Sequence, residues 1–141
     1  LSLHDALPIL SKNSLNILLI EANIVALRFI EALAIQLGCR FASATDAKHA
    51  LELVKTMDFD LIFTDVELPG ISGCELVRSI REWEKASHKK EVPIIGLTAH
   101  SLDESNEPLR AGMNKVITKP VHLNTMKDLV KQFEKPAGKS E

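Results

Sequence analysis

Short apolar runs and helical periods alternate along the chain from Asn16 onward. Ile17-Leu18-Leu19-Ile20 is apolar at every position, the pattern of a strand covered on both faces. Ile24 to Leu37 follows at helical spacing, and Arg28, Glu31 and Gln36 on a helical period mark it as an amphipathic helix. It stops at Gly38, a residue that readily takes the left-handed turn closing a helix. Arg40 to Ala44 reads as a weaker second strand. Asp46 is placed to cap a helix from Ala47 to Met57. Phe59 to Thr64 (FDLIFT) predicts a third strand ending at Asp65, and Leu68-Pro69-Gly70-Ile71-Ser72-Gly73 is a turn-rich loop. Cys74 to Ser87 carries Leu76, Val77, Ile80 and Trp83 on one helical face. Pro93 opens a fourth strand, Ile94 to Leu97. A short helical segment, Ser101 to Ala111, precedes Gly112, and Pro108 within it should shorten or kink it. Lys115 to Thr118 is the fifth strand and Leu123 to Phe133 the last helix. Met57, Met113, Met126 and Trp83 call for nothing beyond core packing.

Strict strand-helix alternation forces a parallel sheet, because each crossover is right-handed and carries a helix. The expected fold is α/β, a five-stranded parallel doubly wound sheet flanked by five helices. Such sheets bind ligands beyond the carboxyl ends of their strands. Glu21, Asp65, Thr98 and Lys119 all end strands on that edge. Two acids, a hydroxyl and a lysine suit phosphoryl chemistry. A carboxylate attacks phosphorus to form an acyl phosphate. A divalent metal on further oxygens neutralises charge, and a hydroxyl and an ammonium hold the other phosphoryl oxygens.

Composition narrows the remaining classes. A chain of 141 residues that is 45% hydrophobic and 26% charged suits one domain with a real core. The net charge of −2 argues against nucleic acid as a partner of this domain. The densest basic stretch, Lys85 to Lys90, lies among Glu82, Glu84 and Glu91 and reads as a solvated loop. Cys39 and Cys74 lack disulfide-scaffold or metal spacing, and a reducing, cytoplasmic setting is expected. No apolar run approaches the ~20 residues of a membrane span. Leu1 to Ile9 (LSLHDALPI) resembles a translated sequencing adapter, so residues 1–9, His4 and Asp5 included, are set outside the fold, and the natural chain is expected to extend upstream. Residues 135–141 read as a polar tail.

The runs ILLIEAN (17–23), DLIFTDVELPGISG (60–73), PIIGLTAHS (93–101) and AGMNKVITKP (111–120) resemble response-regulator receiver domains. They are most similar to the receivers of hybrid sensor histidine kinases, and the resemblance spans residues 14–134. It implies a flavodoxin-like strand order of 2-1-3-4-5. It implies that Asp65 accepts a phosphoryl group from a histidine kinase or a histidine phosphotransfer protein. Thr98 would bind a phosphoryl oxygen, and Lys119 would pair with the acceptor and precede a cis bond to Pro120. Pro69 and Gly73 would shape the loop at the metal. Mg2+ is the implied cofactor, with Glu21, Asp65 and Glu67 left to hold it, Glu67 through its backbone carbonyl or its side chain.

Two positions depart from the family pattern. Ala22 stands where receivers usually carry a second acid that touches Mg2+, and alanine offers no oxygen. A weakened metal site is expected, since affinity follows ligand charge and number. Val116 stands where an aromatic residue or histidine usually swings inward on activation. His100, two residues after Thr98, is a candidate for the rim of the site. The resulting expectation is a phosphorelay receiver that catalyses only its own phosphorylation and dephosphorylation. It would be stand-alone or the C-terminal part of a larger hybrid kinase. The alternative is a degenerate receiver, an interaction module that no longer responds to phosphate. An aspartate-nucleophile hydrolase would want an Asp-x-Asp pair after the first strand, where none stands. No glycine-rich nucleotide loop is present.

Overall fold

The computed structural model describes residues 15–99 and 106–134. Residues 1–9, His100, the segment 101–105 and the tail 135–141 lie outside the described residues. The strands are β1 (Asn16–Ile20), β2 (Arg40–Ala44), β3 (Leu61–Asp65), β4 (Ile94–Thr98) and β5 (Lys115–Thr118). The helices are α1 (Ile24–Gln36), α2 (Ala47–Thr56), α3 (Gly73–Ala86), α4 (Glu107–Ala111) and α5 (Leu123–Phe133). All pairings are parallel, and the sheet order is β2-β1-β3-β4-β5.

Local chemistry sets the helix boundaries. Asn23 caps α1 by accepting the Ala26 N–H at 2.9 Å, and Asp46 caps α2 by accepting the His49 N–H at 2.8 Å. Ser72 and Glu75 form a reciprocal capping box at the start of α3. Gly38 follows the end of α1 at φ 76°. At the end of α3 the left-handed position falls on His88, φ 56°, and the Lys89 N–H reaches back to the Glu84 carbonyl at 2.8 Å.

The sheet divides the core in two. On one face Ile17, Leu19, Phe63, Ile95 and Leu97 pack against α1 and α5 through Leu27, Ile30, Met126 and Leu129. On the other, Leu18, Ile20, Ile62 and Ile94 pack against α2 and α3 through Ala50, Val54, Leu76 and Ile80, with Ala111 of α4. Alternate residues of one strand therefore serve opposite layers, which is why these strands are apolar throughout.

Two expectations change, those for Met57 and for the start of the third strand. Met57 is not a core residue: it follows the last turn of α2 and is 47% exposed. The expected Ser101–Ala111 segment is described only as the five-residue helix Glu107–Ala111, in line with a shortening at Pro108, and 101–105 lie outside the described residues. Pro108 occupies the first turn of α4, where a missing N–H breaks no helical bond. The third strand begins at Leu61 rather than Phe59 and includes Asp65. No helix among the described residues is long and apolar enough to cross a membrane.

Candidate functional site

The register brings the strand ends to one edge. Ile20 pairs with Thr64 and Asp65 with Leu97, so Glu21 and Thr98 each lie one residue beyond these pairs on the strands flanking Asp65. Lys119 directly follows β5, where its N–H bonds the Thr98 carbonyl at 2.7 Å. The Lys119–Pro120 bond is cis.

At that edge one ammonium serves two carboxylates. Lys119 Nζ lies 2.7 Å from Glu21 Oε1 and 3.2 Å from Asp65 Oδ2. The Glu21 contact is a close ion pair, and the Lys119 ammonium is the one partner of the buried Oε1 among the described residues. Its other oxygen accepts the Asn23 N–H at 3.0 Å. Asp65 Oδ1 accepts the Glu67 N–H at 3.0 Å. Glu21 is 1% exposed, whereas the Asp65 side chain keeps 10% of its surface in contact with solvent. Burial alone would lower the Lys119 pKa, but the neighbouring Glu21 and Asp65 carboxylates outweigh it. The ammonium is held above its ordinary value.

Gly73 fixes the floor of this edge. A Cβ there would collide with the carbonyl oxygens of Asp65 and Val66, and the Gly73 N–H bonds the Val66 carbonyl at 2.8 Å. The start of α3 can press against the backbone of the acidic strand end only without a side chain. Pro69 is exposed on the same loop.

The donors suit a hard cation. Glu21 and Asp65 supply carboxylate oxygens, and Glu21 Oε1 already faces a cation, the Lys119 ammonium at 2.7 Å. Among the described residues, however, no three His, Cys, Asp or Glu side chains form a metal-binding group. Glu67 is exposed, and Ala22 packs by its methyl group against the α2–α3 layer. Val116 packs against that same layer.

A model of the response regulator receiver domain matches residues 17–131. The chain belongs to that family. Among sequenced relatives, the sensor histidine kinase GacS of Pseudomonas protegens is 31% identical over 122 residues, which cover 86% of this chain and 13% of the kinase. The aerobic respiration control sensor protein ArcB of Escherichia coli is 30% identical over 130 residues, covering 92% and 16%. The chain thus spans only a small part of these relatives' length. Among solved structures, the receiver of Saccharomyces cerevisiae Ssk1, co-crystallised with the histidine phosphotransfer protein Ypd1, superposes with a TM-score of 0.80 at 26% identity. The match covers 86% of this chain and 89% of that one. The receiver of sensor histidine kinase PA1611 from Pseudomonas aeruginosa gives 0.76 at 33% identity, covering 85% and 97%. It holds a magnesium ion in its active-site cleft.

One network of this receiver escaped the sequence reading. Glu84 is 2% exposed, and Arg81 Nη1 lies 2.8 Å from its Oε1 while the Val92 N–H bonds Oε2 at 2.9 Å. Arg81 also donates to the Gly112 carbonyl and to Asn114 Oδ1, which in turn accepts the Ile94 N–H. The signal was present: Glu84 sits four residues after Ile80, on the apolar face of α3.

Proposed function

We propose that this receiver takes a phosphoryl group on Asp65 from a phosphohistidine donor. The observation that carries this reading is the Asp65 carboxylate at the open end of β3, reachable by solvent and paired with Lys119. Asp65 attacks the phosphorus of the phosphohistidine, a P–O bond forms, and the P–N bond breaks as the imidazole leaves. Lys119 balances charge on a phosphoryl oxygen, and the Thr98 hydroxyl binds another. Mg2+, when bound by Glu21, Asp65 and the Glu67 carbonyl, would supply further charge neutralisation. Ala22 removes one acidic ligand and weakens that site.

The donor is a histidine kinase or a histidine phosphotransfer protein, the latter being the partner in the Ssk1 co-crystal. Helix α1 begins three residues after Glu21 and exposes Ile24, Val25, Phe29 and Ile35. Such an apolar surface beside the acceptor suits a helical partner. A second reading, a phosphate-independent interaction module, is favoured by Ala22 and Val116. The two part on one experiment. Incubation with acetyl phosphate or a phosphorylated donor and Mg2+ should give alkali- and hydroxylamine-labile label on the receiver, and Asp65→Asn should remove it entirely. Label that survives the substitution overturns the acceptor assignment. No label, together with no beryllofluoride binding at any Mg2+ concentration, favours the module.

A further inference from the structure

At the opposite end of the sheet, the last turns of α2 and α3 leave a cleft of ≈ 330 Å3. Its floor is Val54, Phe59 and Ile62, all buried, and Trp83 forms a half-buried wall. Met57 extends that apolar surface into solvent at the lip. The charges around it are uneven. Glu84 lines the cleft, but Arg81 and the Val92 N–H engage its two oxygens. Asp58 is the remaining acid, against Lys89 and Lys90 and beside His88. Neither lysine has an ion-pair partner among the described residues. With Glu84 engaged, the remaining charged side chains of the lining are two lysines against one aspartate, a balance of one positive charge at the lip.

An apolar floor beneath a cationic lip is complementary to a compact amphipathic anion. The volume lies at the small end of ligand clefts, which span about 300–1,000 Å3. We propose that this cleft binds a monocarboxylate with a short alkyl or aryl body, the body lying against Trp83 and Phe59 and the carboxylate meeting Lys89 and Lys90. The basic stretch at 85–90 then has a use beyond keeping a loop solvated. This site does not depend on the role of Asp65.

The chain has one tryptophan and no tyrosine, so its ultraviolet emission comes from the wall of the cleft. Titration with sodium octanoate should change Trp83 emission saturably, with half-saturation in roughly the millimolar range for so small a ligand. Octylammonium should bind about tenfold more weakly, the effect of one reversed charge near a surface. The double substitution Lys89→Glu/Lys90→Glu, on exposed side chains, should invert that preference, and Asp65→Asn should leave it unchanged. A linear, unsaturable response overturns the proposal. So does equal binding of the two probes, or octanoate binding unaffected by the charge reversal.

Discussion

Two buried clusters of charge in this receiver are built on opposite plans. At Arg81–Glu84, both carboxylate oxygens have a donor, and the guanidinium spreads its remaining donors over the Gly112 carbonyl and Asn114. At the strand ends, two carboxylates divide one ammonium, which is the one partner of Glu21 Oε1 among the described residues. The first cluster is satisfied and ties the end of α3 to the backbone before β4 and β5. The second carries an excess of negative charge next to solvent. Buried charge normally persists only when it is paired and fully bonded. The strand-end cluster is thus the one with unused capacity for a cation or for a phosphoryl group that redistributes Lys119.

The contrast can be broken by substitution. Glu84→Ala strands the Arg81 charge in a nearly closed environment and should destabilise the fold by about 3 kcal/mol, read by urea unfolding. Ala22→Asp adds an acid to the under-compensated cluster. It should tighten Mg2+ binding about tenfold in a calorimetric titration and make the melting temperature more dependent on Mg2+. No change in either would mean that position 22 does not face the ion. Glu21→Gln leaves Lys119 to Asp65 alone. Stability should stay within about 1 kcal/mol of the parent or rise, since a charge imbalance is relieved. A loss as large as that of Glu84→Ala would erase the distinction between the clusters.

The smallest effect concerns a group buried without a counter-ion. Burial pushes the Cys39 thiol from 9.0 up to about 11. The folded state holds that proton more tightly than the unfolded chain does. Its contribution to stability is present below pH 9 and is lost as pH rises through about 11. Unfolding curves across that window should be flatter for Cys39→Ala than for the parent. Lys119, also partly buried but paired, shows the opposite balance, because its partners favour the charged form.

Much of the architecture was legible because each strand is a short run of apolar residues and each crossover contains a helix. The Asp46 cap and the Gly38 stop followed from side-chain chemistry within a few residues. Met57 was misplaced because periodicity does not show where a helix ends relative to its neighbours. Helix α1 was read as amphipathic, yet its apolar residues occupy both faces, and only packing shows that Val25 and Phe29 remain outside. At the site, Glu21, Asp65, Thr98 and Lys119 were legible as strand-end residues. The sharing of Lys119 was not, because it depends on the register between β1, β3 and β5. The Arg81–Asn114 link joins residues far apart in sequence, and no local pattern announces it.

The strand order leaves β2 and β5 as the two rims of the sheet, each hydrogen-bonded on one side only. Open rims invite the sheet of another molecule to add on and grow. Here the rim strands start with exposed cations, Arg40 on β2 and Lys115 on β5, and run for only five and four residues. A parallel rim-to-rim pairing would set like charges together, and any pairing would form only a very short ladder. The same order that gathers the acidic strand ends at its centre therefore leaves only short edges, each opened by a cation, for another sheet to join.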